Sequence, residues 1–290
     1  MDFPTFQAEL RRIGGTVHAF AAIGAALRLR QAKQLADPAV EARLLAAVEA
    51  VLPGALDGLN PEQVSAALAY VTLQIEEATD LFHNADRPPG WVFRDAVILQ
   101  AQGQASRHNV RGMVSLASDR PSLAASLAGR FLDVGTGVGA MALEVAEQCP
   151  SVQVVGLDIW EPSLALARAN VAASPHAARI EIRAQDVTQL DEPAAYTLAW
   201  LPIPFLPRPV AEAALDRLAA ALASNGHLVV GLYAAPDDKA GVALTALRVV
   251  RSGGDVWDIA EIEQQLRARG FVEVETCLVP PTTFVMGRRP

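Results

Sequence analysis

The segment best suited to chemistry in this sequence is Phe131-Leu132-Asp133-Val134-Gly135-Thr136-Gly137-Val138-Gly139-Ala140. An apolar run leads into three alternating glycines, and a helical pattern opens behind them. Glycine lets a chain turn sharply and pass close to a ligand, while the helix start presents free backbone N–H groups. Such a turn suits a nucleoside cofactor. Gly135, Gly137 and Ala140 also satisfy the dinucleotide fingerprint G-x-G-x-x-A, so the turn alone leaves the cofactor open. Asp158 ends the next apolar run, where the ribose of either cofactor would need its hydroxyls held.

Asp133, two residues before the first glycine, separates the alternatives. A carboxylate there would meet an ammonium group and repel a pyrophosphate. After a third apolar run, Ala184-Gln185-Asp186-Val187 offers a carboxylate and adjacent amides to the edge of an adenine. The elements that must position these residues follow from the hydrophobic pattern. Strand-like runs appear at Phe131–Val134, Val152–Leu157, Ile180–Arg183, Tyr196–Trp200, His227–Leu232, Phe271–Glu275 and Thr283–Met286. Helical stretches at Val138–Gln148, Pro162–Ala173, Val210–Ala223, Pro236–Val250 and Asp258–Arg269 separate most of them. This alternation predicts an α/β fold, an open doubly wound sheet with right-handed crossovers. Only Cys277–Thr282 lies between the last two runs, so the final strand is expected to run antiparallel.

Asp133-x-Gly135-x-Gly137-x-Gly139, Asp158, Asp186 and the turn Ser224-Asn225-Gly226-His227-Leu228, in this order, resemble the class I S-adenosylmethionine-dependent methyltransferases. The resemblance covers roughly Arg130 to Arg289. It implies a Rossmann-like, seven-stranded sheet with only the last strand antiparallel, and S-adenosyl-L-methionine as cofactor. Asp133, Gly135, Thr136 and Gly137 would then form the first motif and Asp158 would hold the ribose. Ile159 or Trp160 would lie against the adenine, Asp186 and Val187 at its edge, and Leu201 near the donor. A helix just upstream would place Ser106 or Arg107 near the donor's carboxylate.

The acceptor side is less explicit. Enzymes that methylate amide or nucleobase nitrogens often carry Asp/Asn-Pro-Pro-aromatic after the fourth strand; here the loop reads Leu201-Pro202-Ile203-Pro204-Phe205. The aspartate of metal-dependent catechol-type enzymes is missing too, and the five histidines show no spaced ligand pair, so no catalytic metal is expected. Trp91, Phe93 and Phe205 are candidates for an acceptor pocket. His83, His108, Asp86, Asp95 and Tyr233 are candidate bases, none of them singled out. Methyl transfer to a small metabolite is the leading expectation. A second reading keeps the cofactor but closes its aminobutyrate chain into an azetidine ring, releasing methylthioadenosine. An NAD(P)-dependent oxidoreductase and a non-catalytic nucleoside-binding protein are readings of other classes.

Residues 1–128 read as helical. Phe6–Gln34 forms one or two helices, with Gly14-Gly15 weakening the middle; Asp37-Pro38 opens a second helix to Leu52. Asn60-Pro61-Glu62-Gln63 is a capping-box start for a third, to about Asn84, and another runs from Trp91 towards Leu116. This region is expected to act as a cover or a homodimer interface, and 129–290 as the cofactor-binding domain. Net charge is −8 without a run of Lys or Arg, which argues against nucleic acid as a partner. Two distant cysteines and no signal-peptide pattern fit a reducing cytoplasm. No stretch reaches the about 18 apolar residues of a membrane span.

Overall fold

The computed structural model describes residues 1–32 and 37–290, which fall into two compact units. The first comprises Met1–Asp86 and Gln100–Ala105, the second Arg87–Leu99 and Ser106–Pro290.

In the first unit, α1 (Phe3–Ala32), α2 (Pro38–Val51) and α3 (Pro61–His83) form as their start signals direct. Asp37 accepts from the amides of Ala39 and Val40, with Pro38 in the first turn. Asn60 and Gln63 make a reciprocal capping box, both bonds at 2.9 Å. Gly14 and Gly15 do not divide α1. Glycine lowers helix propensity by about 1 kcal/mol, and the packed second half of the helix offsets that. Leu27 packs there with Val64 and Val71. At Gly24 a Cβ would lie 2.7 Å from a methyl of Val71, so only glycine allows α1 and α3 to approach so closely. The expected continuation of α1 to Gln34 lies outside the described residues.

The second unit is built on β1 (Arg130–Val134), β2 (Gln153–Asp158), β3 (Ile180–Ala184), β4 (Tyr196–Pro202), β5 (Leu222–Tyr233), β6 (Val272–Val279) and β7 (Thr282–Arg288). The sheet order is β3-β2-β1-β4-β5-β7-β6, and β7 alone runs against its neighbours. Its helices are α5 (Pro121–Ser126), α6 (Ala140–Gln148), α7 (Glu161–Ala172), α8 (Arg208–Ala221), α9 (Lys239–Arg251) and α10 (Ile259–Ala268). α4 (Ala96–Ala117) contributes residues to both units. On one face of the sheet Leu132 and Val134 pack with Leu215 and Leu218 of α8 and Ile262 and Leu266 of α10. On the other, Phe131, Trp200 and Phe284 pack with Val110 and Met113 of α4 and Val145 of α6. Side chains alternate along a strand, so Asp133 shares the second face with Phe131. The order reverses between β1 and β4, and in open α/β sheets that reversal leaves a ligand crevice at the strands' carboxyl ends.

Four expectations need correction. The sheet unit reaches back beyond residue 129, because Val110 and Met113 are in its core and Arg120 pairs with Glu275 of β6 at 2.8 and 3.1 Å. The helix expected from Trp91 begins at Ala96, where Asp95 caps the amides of Val97 and Ile98. α8 stops at Ala221, and Ser224-Asn225-Gly226 lies inside β5. Asn225 takes a left-handed φ of 67° there and donates to Arg289, while Ser224 donates to Pro290. α9 begins at Lys239, capped by Asp238, rather than at Pro236.

Candidate functional site

The glycine turn joins β1 to α6 at the crevice. Gly135 and Gly137 have φ of 67° and 56°, which side-chain-bearing residues rarely adopt. The Thr136 amide donates to Leu157 at 2.9 Å, fastening the turn to β2. Asp133, in β1, is 1% exposed. Its Oδ2 accepts the Thr136 hydroxyl at 2.7 Å, and its Oδ1 is buried without a hydrogen-bond partner. Burial, relieved in part by Thr136 and reinforced by the charge of Asp158, pushes the carboxyl up to about 7.

Asp158 closes the other side of the turn. Its Oδ2 accepts the Gly137 amide at 2.8 Å, and its Oδ1 accepts those of Ile159 and Trp160 at 2.7 and 2.8 Å. Burial raises its pKa against these three donors. Ile159 is 74% exposed, an apolar side chain held out at the strand end. Trp160 is half-buried and points its indole N–H at the Phe93 carbonyl, 2.9 Å away, with the Arg94 guanidinium 4.7 Å from its ring. Gln185 donates to the Asp158 carbonyl at 3.0 Å, which draws the loop after β3 towards the same corner. In that loop Asp186 caps a short turn, accepting the amide and hydroxyl of Thr188, both at 2.8 Å.

Beside this corner stands an aromatic wall. Trp91 meets Phe93 at 5.1 Å and Phe205 at 5.7 Å between ring centroids, and Phe205 meets Tyr233 at 6.3 Å. The segment before α4 is tied down by Gly90 donating to the Arg251 carbonyl at 3.1 Å and Arg87 to the same oxygen at 3.0 Å. Phe205 follows β4 and Tyr233 ends β5, so the wall borders the carboxyl ends of β4 and β5, on the β4 side of β1.

Three comparisons with known proteins bear on this arrangement. Residues 131–226 match a family model described as a methyltransferase domain. In sequence the chain resembles the ubiquinone/menaquinone biosynthesis C-methyltransferase UbiE of Geobacter sulfurreducens, 57% identical over 53 residues, 18% of this chain and 21% of that protein. It also resembles the tRNA1(Val) (adenine(37)-N6)-methyltransferase of Porphyromonas gingivalis, 38% identical over 85 residues, 29% of this chain and 33% of that one. The chain thus spans a third or less of the length of these curated relatives. In structure it is similar over its full length to the pyocyanin biosynthetic protein PhzM (TM-score 0.71, 17% identity, 100% of each chain). Human N-acetylserotonin methyltransferase, solved with S-adenosylmethionine, gives a TM-score of 0.69 at 14% identity over 100% of this chain and 98% of that one.

The chain has the class I S-adenosylmethionine-dependent methyltransferase fold. Within this methyltransferase domain Asp133, Gly135, Thr136, Gly137, Asp158, Ile159 and Trp160 form one connected corner, with Asp186 joined to it through Gln185. Val187 and Leu201 differ. They are 5% and 0% exposed, and their side chains belong to the core with Leu132 and Val134. Pro202, the next residue, reaches the glycine turn: a Cβ on Gly135 would lie 3.3 Å from its ring. Its signal in the sequence was only its place after a strand. Ser106 is half-buried on α4. Its neighbour Arg107 is bound to the buried Glu144 and to Glu147 on α6, which uses it for packing helices rather than for a ligand carboxylate.

The residues fit a sulfonium nucleoside. Asp133 Oδ1 lacks a donor, and both carboxylates at the corner are raised by burial, so a cation and a diol would satisfy them. A pyrophosphate would add negative charge to the same corner. Among the candidate bases, Asp95 is spent as a helix cap and His108 bonds the Thr282 hydroxyl at 2.8 Å. Among the described residues no three His, Cys, Asp or Glu side chains cluster as a metal site, and no helix is long and apolar enough to cross a membrane.

Proposed function

We propose that this chain transfers a methyl group from S-adenosylmethionine to a small-molecule acceptor. The observation that carries the reading is the buried Asp133 carboxylate, one oxygen unpartnered, beside a glycine turn that Asp158 closes. Bound there, the sulfonium would supply an already activated methyl group, so the protein's task is alignment and exclusion of water. Asp133 would hold the ammonium and Asp158 the ribose hydroxyls. Ile159 and Trp160 would flank the adenine, with the Val187 backbone and Asp186 at its edge; Ser106 would meet the amino-acid end. Trp91, Phe93, Phe205 and Tyr233 would orient the acceptor and keep the methyl's path dry.

The acceptor loop supports a small molecule over a nucleobase, because Leu201-Pro202-Ile203-Pro204 offers no polar side chain to grip an exocyclic nitrogen. The net charge of −8 supports the same choice. Residues 1–86 would serve as a cover or a homodimer interface, in a cytoplasmic enzyme without a catalytic metal. Calorimetry tests the donor: S-adenosylmethionine and S-adenosylhomocysteine should bind and NAD should not. NAD binding without a response to either sulfur nucleoside would overturn the reading. Turnover should release S-adenosylhomocysteine; methylthioadenosine instead would assign the chain to ring closure of the cofactor's own side chain.

A further inference from the structure

Asn109 is 6% exposed on α4, and its amide oxygen is buried without a hydrogen-bond partner. A buried amide in that condition costs stability; native structures rarely keep one unless something else binds it. Its surroundings indicate what that is. α4 is held on two sides, by Arg107 and Arg111 on Glu144 of α6 and by His108 on Thr282 at the start of β7. Gly112 lies against Phe284 and Val279, where a Cβ would clash at 2.3 Å with the valine. Asn109 stands next to Val110 and one turn before Met113, and both pack in the core with Phe131, Trp200 and Phe284. Asp133 follows Phe131 on that same sheet face and is in register with Trp200. Two of the elements that build this layer, α4 and β1, therefore each carry a buried oxygen that lacks a donor, Asn109 Oδ1 and Asp133 Oδ1.

We infer that Asn109 is a second acceptor for the ammonium of the sulfonium donor, acting with Asp133. An ammonium has three N–H donors and can serve both oxygens at once. A neutral amide suits the second position, because another carboxylate would crowd like charge into a site that already holds Asp133 and Asp158. This inference rests on the proposed donor, and it assigns to α4 a direct part in binding it.

The test compares S-adenosylhomocysteine with 5′-methylthioadenosine, which keeps the nucleoside thioether but lacks the amino-acid arm. In Asn109→Leu, close in shape to the parent, the affinity for S-adenosylhomocysteine should fall about 10- to 100-fold, the scale of a lost charge-assisted hydrogen bond. The affinity for methylthioadenosine should stay within about twofold. Unchanged binding of both ligands, or an equal loss of both, would overturn the inference. Wild-type protein that binds neither would instead remove the donor reading. Should Asn109→Leu not fold, wild-type protein labelled with ¹⁵N-asparagine decides. Asn109 is the one buried asparagine among the described residues, so its side-chain amide is identified by slow solvent exchange. Its resonance should shift with S-adenosylhomocysteine and not with methylthioadenosine; the same response to both would count against the inference.

Discussion

The donor corner and the aromatic wall border one crevice but are made in different ways. The corner is mostly backbone: glycines in left-handed conformations, three amides on Asp158, and one buried carboxylate, all within Asp133–Trp160. The wall is mostly side chain, assembled from Trp91 and Phe93, Phe205 and Tyr233, three stretches far apart in the chain. A backbone site tolerates little change, because its atoms have no alternative positions. A wall of half-buried rings can be reshaped ring by ring. On the proposed function, the chain thus joins a fixed donor site to an adaptable acceptor site.

The largest effect that separates the two should come from Gly135→Val. A β-branched residue at φ 67° is strained by about 1–3 kcal/mol, and its Cβ would press on Pro202 at 3.3 Å. Affinity for S-adenosylhomocysteine, measured by calorimetry, should fall about 100-fold or more. A folded variant with near-native affinity would show that the turn does not shape the donor site.

Next comes Asp133→Asn, which should weaken the ligand and strengthen the fold. In the free protein burial raises the Asp133 pKa to about 7, above its unfolded value. Such a group's stabilising contribution is complete below the ordinary carboxylate range and is lost as pH rises through about 7. Urea unfolding should therefore find the variant more stable than the parent at pH 8, by about 1–3 kcal/mol, with the gap closing towards pH 5. S-adenosylhomocysteine should bind the parent more weakly at pH 6 than at pH 8, and the variant weakly at both. A parent whose affinity is flat across that range would remove Asp133 as the ammonium's partner.

This division also decides what could be read before the structure. Asp133, the glycines and Asp158 stand in a fixed relation to strand ends, and hydrophobic periodicity locates strand ends. The same reasoning placed all seven strands and the antiparallel β7. Val187 and Leu201 show its limit: position at a strand end does not say which face a side chain takes, and the core claimed both. Asn109 left no trace in the pattern, since a polar residue in an amphipathic helix reads as solvent-facing until neighbours bury it. The wall was visible only as separate aromatic residues, because tertiary contact, not spacing, brings Trp91 to Phe205.

A third effect falls on the wall alone. Phe205→Ala removes the ring that links Trp91 to Tyr233. Truncating a half-buried aromatic should raise the acceptor KM by about tenfold, the scale of 1–1.5 kcal/mol for aromatic contacts, while donor affinity stays within about twofold. Equal losses on donor and acceptor would mean that the two regions are one cooperative site.

The smallest expected effect concerns a bond that joins them. Trp160 follows Asp158 at the donor corner, yet its indole N–H is held by Phe93 of the wall at 2.9 Å. Trp160→Phe keeps an aromatic face for the adenine and for Arg94 and deletes the N–H. A neutral hydrogen bond contributes about 0.5–1.5 kcal/mol, so the change is two- to about tenfold at most. If Trp160 serves chiefly to anchor the wall, the loss should appear in acceptor KM and in faster amide exchange across Trp91–Arg94, with donor affinity almost unmoved. If the ring serves chiefly the adenine, the phenylalanine's smaller face should instead weaken S-adenosylhomocysteine and leave exchange in that segment unchanged. The first outcome makes Trp160 the strut by which a fixed site positions an adaptable one; the second returns it to the donor corner and leaves the Trp91 end of the wall tied down through Arg87 and Gly90.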